Sequence, residues 1–290
     1  MAISLTISTT DDSVAPAMLS ERMRPQRVGV CKDRLRTHQQ QIMEKIAIVT
    51  GGSRGIGAAT AYLAAERGYA VCVNYLYNSE AAHRVVDSIQ QKGGNAIAVA
   101  ADIACETEVL HLFKTVDEQL GRVSALVNNA GILEPQMRVE NMSAARLNQV
   151  FMTNITGSFL CAREAVKRMS TKQGGSGGSI VNVSSVASRL GSPNEYVDYA
   201  ASKGAIDTLT IGLAKEVAEE GIRVNAVRPG FIDTDIHASG GEPNRIERVK
   251  ASIPLKRGGQ AIEVAQAILW LLSDEASYTT GALIDIAGGK

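Results

Sequence analysis

A short apolar run leading directly into a glycine-rich turn opens the patterned part of the chain: Lys45-Ile46-Ala47-Ile48-Val49-Thr50-Gly51-Gly52-Ser53-Arg54-Gly55-Ile56-Gly57. The β-branched run predicts a buried strand, and the amphipathic stretch that begins near Gly55 predicts a helix. A strand, a glycine-rich turn and a helix in this order present free backbone N–H groups to an anion such as a phosphate. The spacing, Gly-x-x-x-Gly-x-Gly, differs from the Gly-x-Gly-x-x-Gly motif of many dinucleotide sites.

Each glycine of this turn has its own expected role. Gly51 permits the sharp turn, Gly55 lets a pyrophosphate approach the backbone, and Gly57 lets the helix lie close to the sheet. The turn therefore predicts a site for the phosphates of a nucleotide. The candidate phosphate loop also includes Ser53, Arg54 and Ile56.

The alternation of strand and helix patterns continues to the end of the chain. Apolar runs typical of buried strands lie at 46–49, 70–73, 96–100, 124–127, 179–183, 222–227 and 282–286. Amphipathic stretches of helical length lie at about 56–67, 79–92, 106–120, 143–170, 196–220 and 260–272. This order predicts an α/β Rossmann fold, a doubly wound sheet of seven parallel strands with helices on both faces.

The length of 290 residues allows one large domain or two small ones. The alternation runs without a linker, so we predict a single domain over 43–290. Residues 1–42 have no sustained period and predict a disordered N-terminal extension, with a targeting segment or a structural arm as the alternatives. We expect a chain that starts at Met43 to keep its fold and activity.

The composition argues against several classes of function. Lys and Arg (30) balance Asp and Glu (30), so no basic field indicates a nucleic-acid or membrane partner. No apolar run reaches the roughly 18 residues of a membrane span. The cysteines form no Cys-x-x-Cys pair and the histidines show no ligand spacing, so no metal site and a reducing, cytoplasmic location are expected. The four cysteines are Cys31, Cys72, Cys105 and Cys161, of which Cys72 and Cys161 are expected in the core.

The end of the second predicted strand, Asn74-Tyr75, bears on which dinucleotide is bound. An acidic residue at this point would hold the ribose 2′-hydroxyl of NAD, and none is present. Arg54 in the glycine-rich turn could instead bind a 2′-phosphate. NADP(H) is therefore favoured, with NAD(H) as the alternative. The alternative for Arg54 is a solvated loop arginine.

A tyrosine and a lysine four residues apart, Tyr199 and Lys203, share one face of a predicted helix. A lysine cation beside a phenol lowers the pKa of the phenol, which suits general acid–base work. On its own this spacing is common on helix surfaces. Tyr196 has Ala200 four residues on, so it is expected in the pocket wall instead. Ser185 ends the fifth strand, where a hydroxyl can hold a substrate oxygen or merely cap the turn.

Together these motifs resemble the short-chain dehydrogenase/reductase family over residues 45 to 290. The cofactor motif corresponds to Thr50-Gly51-x-x-x-Gly55-x-Gly57, and the motif after the fourth strand to Asn128-Asn129-Ala130-Gly131. The catalytic tetrad corresponds to Asn154, Ser185, Tyr199 and Lys203, and the nicotinamide segment to Pro229-Gly230 with Thr234. The chain is similar to bacterial glucose 1-dehydrogenases and 3-oxoacyl-carrier-protein reductases.

The resemblance implies hydride transfer between nicotinamide C4 and a carbonyl or secondary alcohol carbon. Tyr199 would be the general acid or base, Ser185 would bind the carbonyl oxygen, and Lys203 would lower the Tyr199 pKa and hold the nicotinamide ribose. Asn154 would position a water that relays protons to Lys203. A homotetramer, or a dimer, is expected through the helices at 143–170 and 196–220.

The resemblance also implies contacts along the rest of the cofactor. Asp102, with Ile103, would contact the adenine, and Asn128 the adenosine ribose. Ile232 and Thr234 would bind the carboxamide and the diphosphate region. The alternative function is a catalytically silent, NADP-binding regulatory protein that keeps the fold.

The interval from Ser185 to Tyr199 is fourteen positions, one more than is usual in the family. An insertion of one residue is therefore expected in 189–195. Substrate specificity is expected to depend on 186–197 and 231–255, and the substrate remains open among a sugar, a small ketone and an acyl thioester. Single residues are expected as follows: His237 in a solvent-facing loop, Trp270 in the core, and Glu195 and Asp198 as loop or helix-start charges.

Overall fold

The computed structural model describes residues 45–290, which lie in one compact unit. The predicted extension at 1–42 and Cys31 lie outside the described residues. Within the described part, the chain alternates strands and helices as the sequence predicts.

The strands are β1 (Lys45–Val49), β2 (Tyr69–Tyr75), β3 (Ala96–Ala100), β4 (Ala125–Asn128), β5 (Gly178–Val183), β6 (Ile222–Pro229), β7 (Ile232–Asp233), β8 (Gly259–Gln260) and β9 (Leu283–Ile286). The α-helices are α1 (Gly55–Glu66), α2 (Ser79–Gln91), α3 (Glu106–Gln119), α4 (Ala144–Phe151), α5 (Gly157–Met169), α6 (Ala187–Leu190), α7 (Val197–Val217), α8 (Ile236–Ser239), α9 (Arg245–Val249) and α10 (Ala261–Leu272).

Seven strands form one parallel sheet in the order β3-β2-β1-β4-β5-β6-β9. The predicted doubly wound sheet is confirmed, because each of the seven predicted runs overlaps one of these strands. The short strands β7 and β8 pair separately, also in parallel. They fix the segment that follows β6 against the start of α10.

The sheet has apolar layers on both faces because its strands are buried on both sides. One cluster, which includes Val71, Val85 and Ile268, packs α1, α2 and α10 against one face. The other packs α3, α5 and α7 against the opposite face, around Ile48 and Phe113. Cys72 and Cys161 are buried there, as predicted, and burial strongly raises the pKa of both thiols.

The sheet grows outward from β1 in two directions. The strands β2 and β3 lie on one side of β1, and β4, β5, β6 and β9 lie on the other, so the strand order reverses between β1 and β4. Parallel strands of this kind leave a crevice outside their carboxyl ends at the reversal point. The loops after β1 and β4 both open at this crevice. The fold therefore brings the glycine-rich turn next to the Asn128–Gly131 segment.

The predicted helix at 143–170 is interrupted. A π-helical turn, Met152–Thr156, separates α4 from α5 and places the buried Asn154 at its centre. A π turn adds a residue to one helical turn and is frequent at functional sites. Amphipathic periodicity does not show such a turn, because the apolar stripe continues through it.

The expected burial of Trp270 is wrong. It lies on α10 with 36% of its surface exposed, because the neighbouring Ile268, Leu269 and Leu271 supply the buried face of that helix. Among residues 45–290, no helix combines the length and the apolar composition of a membrane span.

Candidate active site

The glycine-rich turn after β1 has the backbone that its sequence demands. Gly51 and Gly55 have φ values of +60° and +53°, in the left-handed region that favours glycine. Arg54 precedes α1 without a side-chain cap, so the N–H groups of the first helical turn remain free for an anion. The turn therefore fits the phosphates of a dinucleotide.

Gly57 leaves a space that another residue would fill. A Cβ at this position would lie 2.3 Å from the Gly51 carbonyl oxygen and 2.6 Å from Asn129 Nδ2. The close approach is thus to the loop and to Asn129, rather than to the sheet. Asn129 Nδ2 donates to the carbonyl oxygens of Thr50 (2.9 Å) and Gly51 (3.0 Å), so it fastens the turn to the end of β4.

Thr50 completes this junction. Its hydroxyl accepts from the backbone N–H groups of Asn129 and Ala130, both at 3.0 Å. The motif after β4 therefore supports the phosphate loop through Asn129, a residue that the sequence analysis left outside the predicted contacts. The sequence signal for this role of Asn129 is its place within the Asn128–Gly131 motif.

Two predicted cofactor residues have buried side chains that are used inside the protein. Asn74 Oδ1 accepts from Gly51 N (3.3 Å), and its Nδ2 donates to Ala101 O (3.0 Å). Asn128 Nδ2 donates to Asn182 Oδ1 (2.9 Å) and Ser158 O (3.2 Å). Both amides hold strands and loops in place, and the contact of Asn128 with the ribose stays a prediction.

The remaining residues predicted for the adenosine end lie near the carboxyl ends of β2 and β3. Tyr75 is half-buried, and its hydroxyl donates to Ser79 Oγ at 3.2 Å. Asp102 Oδ1 accepts from Ala104 N at 2.9 Å. The Ile103 side chain packs into the core instead, where a Cβ on Gly157 would meet it at 2.7 Å.

A cavity of about 150 Å³ lies at the carboxyl ends of β4, β5 and β6. It brings together most of the residues predicted for the reacting end of the cofactor and for catalysis. These are Ile56, Gly131, Ser185, Tyr199, Lys203, Pro229, Gly230, Ile232 and Thr234. Tyr196 lines the same cavity, in agreement with its predicted place in the wall.

Burial shifts the pKa of both members of the Tyr-x-x-x-Lys pair. It raises the pKa of Tyr199 to about 12, and the neighbouring Ser185 hydroxyl acts in the opposite direction. Burial lowers the pKa of Lys203 to about 8, against an opposing influence from Asp207. Burial thus favours the neutral forms of both groups, and the predicted lowering of the Tyr199 pKa is not seen.

Lys203 is held close to the Tyr199 ring. Its Nζ donates to Val183 O at 2.7 Å and lies 5.5 Å from the centre of the Tyr199 ring. Ser184, which follows Val183, donates its hydroxyl to Lys203 O at 3.1 Å. Both serines line the cavity, but the Ser184 hydroxyl is used on the helix that carries Lys203, whereas the Ser185 hydroxyl is the one beside Tyr199.

Asn154, at the centre of the π turn, also lies close to Lys203. Its Oδ1 accepts from Ile132 N (2.8 Å), and its Nδ2 donates to Ser202 Oγ (3.1 Å). A Cβ on Gly131 would lie 3.3 Å from Asn154 Oδ1 and 3.5 Å from Lys203 Nζ. The amide and the amine thus flank Gly131, which supports an arrangement in which both contact a shared polar group.

His237 differs from its sequence-based expectation of a solvent-facing loop, whereas Asp198 lies in the first turn of α7, as expected. His237 is only 8% exposed and lines the cavity, because its Nε2 donates to Ile232 O at 2.8 Å; burial lowers its pKa. Asp198 is buried and pairs with Arg146 at 2.8 Å. Neither contact could be read from the sequence, since each joins segments separated by loops or by many residues.

The comparisons with known proteins bear on the family to which the chain belongs. A family model described as enoyl-(acyl carrier protein) reductase matches residues 51–290. Among residues 45–290, no group of three or more His, Cys, Asp or Glu side chains could hold a metal ion.

Two relatives and one solved structure are similar to most of the chain. The chain is 66% identical over 245 residues to the uncharacterized oxidoreductase YgfF of Escherichia coli K12, with 84% of this chain and 99% of YgfF covered. It is 39% identical over 247 residues to the 3-oxoacyl-[acyl-carrier-protein] reductase FabG of Staphylococcus aureus Mu50, with 85% and 98% covered. A crystal structure of a dehydrogenase/reductase from Sinorhizobium meliloti 1021 superposes with a TM-score of 0.78 at 34% identity, covering 84% of this chain and 94% of the other.

The seven-stranded sheet, the glycine-rich turn after its first strand and the matches across residues 51–290 all lead to one assignment. The chain belongs to the short-chain dehydrogenase/reductase family of oxidoreductases.

Proposed function

We propose that this oxidoreductase transfers a hydride between NADP(H) and a carbonyl or secondary alcohol carbon, with Tyr199 as the general acid or base. The observation that carries the proposal is the meeting of Ser185, Tyr199 and Lys203 in one cavity that also contains Gly131 and Thr234. A bound nicotinamide coenzyme would supply or accept the hydride, which no side chain can do.

The chain's own residues would divide the remaining work. In the reducing direction, Ser185 donates a hydrogen bond to the carbonyl oxygen, and Tyr199 gives that oxygen its proton as the alkoxide develops. Lys203, as a cation, stabilises the resulting phenolate. Asn154 holds the Gly131–Ile132 turn beside the Lys203 amine, where a relay of protons to Tyr199 would begin.

The residues present fit a dinucleotide along the rest of the crevice. The cradle at Gly51, Gly55 and Gly57 accepts the diphosphate, since side chains there would meet strained backbone or close neighbours. Ile232 and Thr234 line the same cavity as Ile56, and a Cβ on Gly55 would lie 3.3 Å from Thr234; we expect the two residues to hold the carboxamide and the adjoining phosphate. Asp102 and Tyr75 are proposed at the adenosine end.

Two features support NADP(H) over NAD(H). The end of β2, Asn74-Tyr75, has no carboxylate to bind a ribose 2′-hydroxyl. Arg54 is exposed in the turn, and within residues 45–290 no carboxylate forms an ion pair with it. An exposed, unpaired guanidinium suits a 2′-phosphate.

Exposed apolar side chains support a homotetramer. They lie on the helices predicted for subunit contact and on α10, and they are Met152, Phe159, Ile211, Ile262 and Trp270. Light scattering on the purified protein tests the oligomeric state. The free, buried thiols of Cys72 and Cys161 are consistent with a cytoplasmic location, which cell fractionation tests.

The decisive experiment assays purified protein with NADPH and NADH against an aldose, a small ketone and a 3-oxoacyl thioester. A 2-enoyl thioester belongs in the same panel, because the matching family model is described as an enoyl reductase. We expect oxidation of NADPH with a carbonyl substrate. Turnover confined to the enoyl compound would replace carbonyl reduction with reduction of a carbon–carbon double bond.

The role of Tyr199 is tested with Tyr199→Phe, and with Tyr278→Phe as a matched control on a fully exposed tyrosine. We expect Tyr199→Phe to abolish turnover and leave NADPH affinity nearly unchanged. A wild-type protein that binds NADPH but turns over none of these substrates would favour the silent regulatory protein.

A further inference from the structure

An ionic cluster lies beside the substrate cavity and joins two segments that are far apart in sequence. The first segment, which we call the lid, is Ile236–Val249 and contains α8 and α9. The second, which we call the 191–196 turn, connects α6 to α7 just before Tyr199. This turn lies within the interval from Ser185 to Tyr199, in which one extra residue is expected.

Arg245 of the lid is the centre of the cluster. It is only 7% exposed and lines the cavity, where its guanidinium carbon lies 5.0 Å from the Tyr196 ring centre and 5.4 Å from that of Phe231. Its guanidinium pairs with Glu195 of the turn and with Glu242 of the lid, the latter at 2.8 Å. Stacking between two rings and a planar fork of donors both suit arginine.

Arg248 completes the cluster from the exposed side. Its Nη2 lies 3.0 Å from Glu195 Oε1, and its Nε also pairs with Glu242. Hydrogen bonds from Arg248 and Arg245 lower the pKa of Glu242 to about 2. Two cations and two anions therefore neutralise one another, and Arg245 is not a free cation for an anionic substrate.

The turn is shaped to meet the lid. Ser192 and Asn194 have φ values of +44° and +63°, an uncommon conformation for residues other than glycine. Neighbouring segments hold this shape: Glu195 O accepts from Met137 N at 2.9 Å, and Asn194 Oδ1 accepts from Arg138 Nη1 at 3.1 Å. The Glu195 carboxylate is thus presented from a fixed backbone.

The lid also rests directly on the cavity wall. Tyr196 donates its hydroxyl to Gly240 O at 3.1 Å, and a Cβ on Gly240 would lie 2.8 Å from Leu133. Gln136 donates to Glu242 Oε2 at 2.7 Å. The lid therefore contacts both the segment after β4 and the turn before α7, which are two walls of the cavity.

We propose that Arg245 and Glu195 are positioning residues whose ion pair holds the lid closed over the substrate cavity and so sets the affinity for the carbonyl substrate. Arg245 is buried and Glu195 is mostly buried, so removing either one breaks a shielded ion pair that joins the lid to the turn and weakens the closed position of the lid. The residue that remains keeps one ion pair, Arg245 with Glu242 or Glu195 with Arg248. Neither residue touches the reacting atoms. The effect on substrate affinity rests on the proposed function, whereas the effect on the lid does not.

The first test measures steady-state kinetics with Glu195→Gln, a nearly isosteric change, and with Arg245→Met. We expect KM for the carbonyl substrate to rise about tenfold, with kcat and NADPH affinity within about twofold of wild type. Lys250→Met is the matched control, because its ion pair with Glu247 is exposed and does not reach the turn. The KM increases of the two single variants should combine to less than their product in the double variant, because both substitutions remove the Arg245–Glu195 pair and only Glu195→Gln also removes the pair with Arg248.

The second test needs no substrate. Hydrogen exchange on the ligand-free proteins should speed up for the backbone amides of Gly240, Glu242 and Arg248 in both variants, and not in Lys250→Met. The proposal would be overturned if hydrogen exchange in the lid is unchanged, or if exchange speeds up equally over α7. It would also be overturned if the KM increases of the two single variants multiply in the double variant. A wild-type protein without carbonyl turnover would refute the proposed function alone, because the exchange result would still stand.

Discussion

Arg146 on α4 and Asp198 on α7 form a buried ion pair, with Nε and Oδ2 2.8 Å apart, one residue before Tyr199. The same guanidinium donates to Pro135 O at 2.6 Å, and Asp198 Oδ1 accepts from Tyr199 N at 2.9 Å. The pair thus joins the segment after β4 to the start of the helix that carries Tyr199 and Lys203.

We expect Arg146→Met to lower the free energy of unfolding by about 3 kcal/mol, because it leaves the Asp198 carboxylate buried without its cation. Chemical denaturation measures this loss. Arg84→Met is the matched control: its pair with Glu80 is exposed, so its effect should stay within about 0.5 kcal/mol. Equal effects of the two substitutions would show that burial of the pair does not matter.

Lys203 is expected to reduce stability at neutral pH, because its buried amine must carry a proton. A pKa lowered from 10.5 to about 8 corresponds to about 3 kcal/mol, and the lost hydrogen bond to Val183 offsets about 1 kcal/mol of this. Lys203→Met should therefore be about 2 kcal/mol more stable than wild type at pH 7, although we expect it to be inactive.

The pH dependence gives the sign of this effect. Between about pH 8 and 10.5 the unfolded chain binds more protons at Lys203 than the folded protein does, so wild-type stability rises with pH relative to the variant. The advantage of Lys203→Met should be full below pH 8 and shrink toward pH 10.5. Lys215→Met, on the exposed face of α7, should show no such trend, and a constant advantage would contradict the buried charge as its cause.

Gly57→Ala is expected to weaken coenzyme binding by at least about tenfold, since its Cβ would lie 2.3 Å from the Gly51 carbonyl oxygen and displace the turn. Fluorescence titration with NADPH measures the change. Gly212→Ala on α7 is the control, because nothing lies within 4 Å of its added Cβ. That variant should bind normally and gain about 0.5–1 kcal/mol of stability. Normal NADPH affinity in Gly57→Ala would remove the phosphate loop from the binding site.

Arg54→Ala should raise KM for NADPH by about tenfold and leave KM for NADH unchanged. Only NADPH has a 2′-phosphate, and the substitution removes the cation that would bind it. Lys114→Ala, whose exposed partner is Glu118 on α3, controls for a general change in surface charge. Equal increases in KM for the two coenzymes would mean that Arg54 does not discriminate between them.

The seven main strands could be predicted from sequence because each is a short apolar run with β-branched residues, and the five strands inside the sheet are largely buried on both faces. The cradle at Gly51 and the Tyr199–Lys203 pair were equally accessible, since their spacing is local. The contacts of Arg245 with Glu195 and of Arg146 with Asp198 were not, because each depends on which loops the fold brings together. Asn128 shows a further limit: a motif identifies the position, but the direction of its amide depends on buried neighbours such as Asn182.

The π turn at Met152–Thr156 also constrains how this chain can change. Because the turn holds one residue more than a regular helical turn, deleting one residue there would restore a regular helix while α4 and α5 keep nearly their present relative rotation. Cys161 and Ala165 would stay in the core, whereas Asn154 would leave its place beside Gly131. A single-residue deletion in this turn should therefore separate activity from folding, so the extra residue serves the site and not the core.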